Sequence, residues 1–430
     1  MDNTNFITPP FYNRRGILYL ENVNLVKLLE DEGSPLLVTS EKRLRNNYFS
    51  IYNSFSKLYG NFRVNYAVKA NSNPAIISVF RKLGAGVDVG TLGEVFIARF
   101  SGIDKEKIMF SPNYASKSDL ELARGYGIII NFDDVRQFEF TKDNLPQITS
   151  FRINPGMGGG DVPGNITGGP GSKFGIPDKI ALKVYKKAKD LGVKRFGIHM
   201  HGGSNNLDPE YFKKITKKFF EIASKIRKDL KIDFEFIDIG GGFGVPYRSN
   251  ESPLNMNLVA EFIIENFKEK YLKGNDDPLL IVEPGRFLVA NSTVLLGRIN
   301  SIKNYDKKFI GTDIGMNVLI RPALYGAFHH MVLANKLDSS ITDKVTIVGP
   351  ICENTDKIAE NREFPHAEVD DIVCVFNAGA YVYTMSSNYN SLLRPKEILI
   401  SENSTVFTIR ERESYVDLVR GSRIPPYLMF

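Results

Sequence analysis

Cysteine is nearly absent: the 430 residues carry two, Cys352 and Cys374. Two thiols in a chain this long cannot make a disulfide framework, so a reducing compartment is expected. No apolar run is long enough to cross a bilayer. The stretch Met1-Asp-Asn-Thr-Asn-Phe-Ile-Thr-Pro-Pro10 lacks the basic n-region and apolar core of a signal peptide. A cytoplasmic location with no membrane partner follows as the expectation. Net charge is +6, yet there is no dense Lys/Arg tract. Lys213, Lys214, Lys217 and Lys218 interleave with aromatic and apolar residues on one helical pattern. That is a solvated face rather than a nucleic-acid stripe. A mildly basic surface suits an anionic substrate or cofactor. Histidine is also scarce, at five residues, and no zinc-type pairing with a carboxylate is visible, so no metal is expected. Internal repeats and low-complexity tails are lacking too.

What remains is an ordinary globular composition, 43% hydrophobic and 24% charged, in a chain long enough for two domains. Eight short strand patterns alternate with helical ones: Arg63–Val68, Gly86–Val89, Ile108–Phe110, Ile128–Asn131, Phe151–Ile153, Phe196–Met200, Phe236–Ile239 and Leu279–Val282. Amphipathic stretches such as Leu92–Phe100, Lys117–Gly125 and Pro209–Lys228 lie between them. This rhythm predicts an α/β chain with a closed (β/α)8 barrel over residues 41–290. An open doubly wound sheet is the rival. The barrel is favoured because Lys69, Asp88, Arg152, His199, His201, Gly240–Gly242 and Glu283 all fall at or just past strand carboxyl ends, which a barrel gathers at one mouth. After Arg286 strands follow without regular helices. Residues 291–430, together with 1–40, are therefore expected to form an all-β domain of sandwich or barrel type.

Several stretches carry chemistry. Tyr66-Ala-Val-Lys69-Ala-Asn71 puts a lysine at the end of a buried strand. An amine with poor access to water loses its proton more easily and can act as a Schiff-base nucleophile, although a lysine snorkelling to solvent is the plainer alternative. Ile237-Asp-Ile-Gly240-Gly-Gly242-Phe-Gly244 is a strand entering a glycine turn whose amides can approach a phosphate. It is neither a dinucleotide fingerprint nor a P-loop. Glu283-Pro-Gly285-Arg286 closes the eighth strand. Turns after strands 7 and 8 are the usual phosphate site of a barrel, so the two support each other. Cys352 sits in a polar turn, Cys352-Glu353-Asn-Thr-Asp356, which suits a proton donor better than a core residue. The Gly-rich loop 156–171 reads equally as a loose insertion or as a lid.

Taken in order, Tyr66-Ala-Val-Lys69-Ala-Asn71, His199-x-His201-x-Gly-Ser204, Gly240-Gly-Gly-Phe-Gly244, Glu283-Pro-Gly-Arg286, Cys352-Glu353-x-x-Asp356 and Gly379-Ala-Tyr381 resemble the fold-type III pyridoxal-phosphate decarboxylases. The branch acting on meso-diaminopimelate is the nearest. The resemblance runs from about residue 16 to Tyr415. It implies pyridoxal 5'-phosphate as cofactor, with Lys69 as its covalent anchor and His201 stacked on its ring. Asp88 is implied beside the cofactor, and Glu283 on the ring nitrogen. It further implies Ser204, Gly240, Gly241, Gly242, Gly285, Arg286 and Tyr381 around the phosphate, and Cys352 as proton donor, contributed by the second subunit of a homodimer with shared sites. Arg286, Arg321, Tyr325, Glu353 and Tyr381 are implied at the far end of the substrate. The implied reaction turns meso-diaminopimelate into L-lysine and CO2, the last step of lysine biosynthesis. A decarboxylase of ornithine, lysine or arginine type and a fold-type III racemase are the alternatives. Gly202 stands where the family usually has Ile, and Val382-Tyr-Thr384 replaces smaller residues.

Overall fold

Phe62–Ala67 is buried at every position but Arg63, as expected of a strand covered on both faces. Seven more strands share this environment: Gly86–Val89, Ile108–Phe110, Ile129–Phe132, Thr149–Asn154, Phe196–His199, Phe234–Asp238 and Leu279–Val282. In the computed structural model, which describes residues 6–273 and 277–429, these eight pair in parallel in chain order. The last strand returns to the first through Leu280 opposite Phe62 and Val282 opposite Val64, so the sheet closes into a barrel. An open sheet is thereby ruled out. Met109, Phe236 and Ile281 pack as one small cluster from three of the strands. Glycine at 197 makes room for that packing, since a Cβ there would stand 2.1 Å from the Phe236 ring.

The helices between strands carry conventional end signals. Asn73 caps Pro74–Lys82 by accepting from the Ala75 amide, with proline at the first turn. Asp208 does the same for Pro209–Leu230, which ends on Lys231 in a left-handed conformation. These caps start two helices at the barrel's site-bearing end. This unit comprises Arg43–Pro246 and Asn250–Asn291.

The second unit consists of the chain up to Lys42, Tyr247–Ser249 and everything from Ser292. Its sheet is centred on Thr293–Asn304, which pairs with Leu36–Ser40, Lys308–Thr312 and Ile372–Val375. Period-two alternation divides the sheet's side chains between two cores. Leu37, Leu295, Val373 and Val375 join one cluster; Leu36, Val38, Val294, Leu296 and Cys374 join the other. Cys374 is therefore a core residue. Met331–Leu333 and Lys357–Pro365 are among the strands that escape the sequence pattern. In the longer one Glu360-Asn-Arg-Glu363 interrupts the alternation, and Asn361 takes φ 50°, which shifts the register against Ile341–Val348. No helix among the described residues is long and apolar enough to cross a membrane.

Candidate active site

The strand Phe62–Ala67 ends before Lys69, and the tight turn Val68–Ala70 carries the lysine beyond the sheet. The Tyr66 hydroxyl ties this turn down by donating to the Asn71 carbonyl at 2.8 Å. Lys69 Nζ lies 3.3 Å from Asp88 Oδ2, at the end of the neighbouring strand. The turn lifts the Lys69 side chain off the strand end, and within this chain alone it is 49% exposed. Its character comes from its partners instead. Asp88 is buried, and burial together with the Glu283 charge pushes its carboxyl up, against the pull of Lys69.

Three buried groups stand together at the ends of strands six, seven and eight. His199 Nε2 lies 3.0 Å from Glu283 Oε2. Asp238 accepts from the Gly240 amide at 2.8 Å through Oδ1. Burial, with the adjacent Glu283 charge, pushes the Asp238 carboxyl well above the usual carboxylate range. Burial works to raise Glu283, but His199 and Lys69 outweigh it and hold its carboxyl below the usual range. Ligand atoms of His199, Asp238 and Glu283 also lie within 4.8 Å of one another, a grouping that a metal ion could in principle use and that sequence spacing does not reveal. The His199–Glu283 hydrogen bond already occupies the facing atoms of that group.

Next to them runs a close-packed glycine turn. A Cβ on Gly240 would meet the Met200 carbonyl at 2.3 Å, and one on Gly241 the Glu283 carbonyl at 2.2 Å. Gly240 and Gly242 take φ of 68° and 97°. The Gly241 amide donates to His201 Nδ1 at 3.1 Å, which leaves the proton of the neutral ring on Nε2. Burial, with Lys69 and Arg152 close by, holds His201 well below the ordinary histidine range. Two of the three turn amides are therefore spent on Asp238 and His201. Arg286, buried at the start of a short helix after the Gly285 turn, reaches Ser204 Oγ at 3.4 Å.

The Gly-rich loop is tied down rather than loose. Gly159 and Thr167 amides donate to the Gly202 carbonyl, and the Asp161 amide donates to the Ser204 carbonyl. Asn205 Nδ2 donates to Asp161 Oδ2 at 3.0 Å, and Asn154 clasps Gly169 through both side-chain atoms. The departure at Gly202 has a packing cause: a Cβ there would meet the Tyr211 hydroxyl at 2.3 Å and Ile215 Cδ1 at 2.4 Å.

The remaining expected residues lie in the second unit. Cys352 is exposed, with its Sγ against the Asn390 side-chain amide. Its turn is shaped by Asp356, buried and accepting from the Met316 and Ile351 amides at 2.6 and 2.7 Å. Glu353 accepts from the Thr355 and Tyr389 hydroxyls, which hold its carboxyl below the usual range. Arg321 opens the helix Arg321–Tyr325, and Tyr381 takes φ 59°. The structure thus gathers Lys69, Asp88, His201, Ser204, Gly240–Gly242, Glu283, Gly285 and Arg286 at the barrel's carboxyl-terminal strand ends. It places Cys352 with Glu353, and Arg321 with Tyr325, in the other unit. Asp238 and Asn390 are the participants that the sequence reading does not single out. Asp238 has the one visible signal, a carboxylate at a strand end two residues before a glycine turn.

Pyridoxal phosphate fits the barrel mouth by its donor set. Asp88 Oδ1, His199 Nδ1 and Glu283 Oε1 are buried with no hydrogen-bond partner among the described residues. A carboxylate oxygen in that state suits a protonated ring nitrogen. A guanidinium, a serine hydroxyl and a glycine turn too tight for any Cβ suit a phosphate.

Residues 48–290 match the family described as pyridoxal-dependent decarboxylase, pyridoxal binding domain. The chain is 39% identical over 420 residues to the diaminopimelate decarboxylase of Methanothermobacter thermautotrophicus, covering 97% of this chain and 98% of that one. It is 38% identical to the Thermoplasma acidophilum diaminopimelate decarboxylase, over 93% and 96% of the two chains. Its structure superposes on the crystal structure of diaminopimelate decarboxylase from M. jannaschii in co-complex with L-lysine with TM-score 0.89, at 33% identity and coverage of 97% and 99%.

Proposed function

The chain belongs to the pyridoxal-dependent decarboxylases, alongside the diaminopimelate decarboxylases, and from that premise we propose that it removes CO2 from meso-diaminopimelate and leaves L-lysine. When bound, pyridoxal phosphate supplies an electron sink for the pair released as the bond from Cα to its carboxylate breaks. The chain's own residues do the rest. Lys69 tethers the cofactor, with Asp88 beside the amine. Glu283, held low by His199 and Lys69, would accept a hydrogen bond from the protonated ring nitrogen. A carboxylate there favours decarboxylation over the racemase alternative, which by family pattern pairs the ring nitrogen with arginine. His201, neutral and pinned by the Gly241 amide, would stack on the ring. Ser204, Arg286 and the turns at Gly240–Gly242 and Gly285 would hold the phosphate, with Tyr381, the Gly242 amide being the one of its turn not already engaged. Cys352 gives a proton to the carbon that has lost CO2. We take the working unit to be a homodimer in which Cys352 of one protomer serves Lys69 of its partner, and its location to be the cytoplasm. Two unbridged thiols support the location. Large exposed apolar side chains on both units support association: Phe96 and Phe100 on one, Tyr415, Val416 and Ile424 on the other.

One observation carries the choice of substrate. Arg321 is 2% exposed and has no carboxylate partner among the described residues. A buried guanidinium without a counter-ion calls for an anionic ligand. The distal carboxylate of diaminopimelate would supply it, with Arg286 and Tyr325 as further proposed partners, while Glu353 would take the distal ammonium. Lysine and ornithine, entering as substrates, bring only an ammonium to that end. A charge-assisted contact contributes about 1.5–3 kcal/mol, and the unpaired arginine costs more, so discrimination reaches roughly 10³-fold. CO2 release with diaminopimelate, lysine, ornithine and arginine tests this. Diaminopimelate is expected to lead in kcat/KM by that margin; parity with ornithine or lysine overturns the substrate assignment.

A further inference from the structure

Arg321 is held by an unusual partner. Its Nη1 lies 2.8 Å from Nε2 of His329, a fully buried ring. The other ring nitrogen, Nδ1, lies 2.9 Å from the Phe376 carbonyl. A carbonyl only accepts, so the network assigns the proton to Nδ1 and a lone pair to Nε2, into which the guanidinium donates. His329 is therefore neutral: a second ring proton would set two donors face to face. The other neighbours agree. Tyr247 meets the His329 ring edge-on at 5.3 Å and lies 4.8 Å under the Arg321 guanidinium. Arg362 donates to the His329 carbonyl at 2.8 Å, and Arg362 and Arg248 cover the Phe328 ring at 3.9 and 4.2 Å. These neighbours bring cations and aromatic faces to this end of the helix Arg321–Tyr325.

An aspartate or glutamate in place of His329 would orient Arg321 equally well. It would also cancel the charge, and an incoming carboxylate would meet an ion pair already made. A neutral imidazole fixes the guanidinium and leaves its whole charge available. We propose that His329 is a positioning residue for the substrate's distal carboxylate. It aims Arg321 while leaving that charge uncompensated. This rests on the reading of Arg321 as the carboxylate clamp.

The test is calorimetric binding to the holoenzyme of two ligands. L-Lysine keeps a carboxylate at the end opposite the reacting centre; cadaverine is the same chain without one. His329→Gln keeps a neutral acceptor and is expected to bind lysine within about threefold of the parent. His329→Phe removes the acceptor and is expected to lose roughly tenfold, and His329→Glu, which compensates Arg321, at least as much. Cadaverine affinity is expected to stay unchanged in Gln and Phe, which separates positioning from general damage to the fold. Arg321→Met is the control for the underlying reading: if it leaves the preference for lysine over cadaverine intact, the clamp assignment fails and this inference with it. If Arg321→Met abolishes that preference but the Gln and Phe variants bind lysine equally, the role of His329 alone is overturned. That comparison holds even if the Glu variant does not fold.

Discussion

At the barrel mouth, burial raises the cost of ionising Asp238 while His199 and Lys69 keep Glu283 charged. The consequence for stability has a definite sign. An unfolded aspartate ionises near pH 3.9, whereas folded Asp238 keeps its proton well above that. Between those values the unfolded chain binds fewer protons than the native one, so this group lowers stability as pH rises, by about 1.4 kcal/mol for each pH unit climbed within that window. Asp238→Asn preserves an acceptor for the Gly240 amide but has no carboxyl proton to lose. Its melting temperature should match the parent's near pH 4 and exceed it increasingly towards pH 7. Melting curves at pH 4, 5.5 and 7 decide it; a pH-independent difference would count against a protonated Asp238. Residues at this scale are legible from sequence when their position is diagnostic. Lys69, Asp88 and Glu283 each end a strand, and in a barrel that is enough to bring them together. The states of the carboxyls are not legible. They depend on which of Asp88, Asp238 and Glu283 face one another in a dry volume, and one-dimensional spacing carries no such information. The half-exposed Lys69 shows the same limit.

Among the elements, the barrel strands are legible because full burial writes continuous apolar runs, and the helices because their caps and amphipathic spacing agree. Lys357–Pro365 is not, since its bulge places Glu360, Asn361 and Arg362 where alternation expects apolar residues. The Gly-rich loop is the other case. Its glycines read as freedom, but in the fold they permit contact. A Cβ on Gly203 would stand 1.7 Å from the Gly159 carbonyl, and one on Gly158 would stand 2.5 Å from the Gly168 carbonyl. The loop is thus packed backbone against backbone on the turn that carries Ser204. Gly203→Ala should force the two apart, destabilise the protein by about 1–3 kcal/mol and open residues 156–171 to protease. Gly60→Ala, where nothing lies within 4 Å of the added Cβ, should stay within about 0.5 kcal/mol of the parent. Thermal melting paired with limited proteolysis separates the outcomes. Protection of the loop in Gly203→Ala equal to the parent's would show that the close approach does not hold it.

For the whole molecule, the proposal asks a thiol of one unit to serve an amine of the other. Cys352 is exposed, on a turn stiffened by Asp356, and Lys69 stands on the barrel beside Asp88. On the proposed reading the two belong to different protomers. Symmetry then makes a quantitative demand. A twofold dimer has two equivalent sites, each assembled from the lysine of one chain and the cysteine of the other. Lys69→Ala and Cys352→Ala homodimers are each inactive at both sites. In a mixed dimer, one site carries both lesions and the other carries neither. Random exchange of equal amounts makes half of the dimers mixed, so recovered activity should approach about a quarter of the parent's. If instead both residues of a site came from one chain, every site in every dimer would keep a lesion, and mixing would recover nothing. The experiment needs exchange shown independently, for example by co-purification of two differently tagged chains. Co-purified mixed dimers without activity would assign Cys352 and Lys69 to the same protomer, and activity near a quarter would assign them to two.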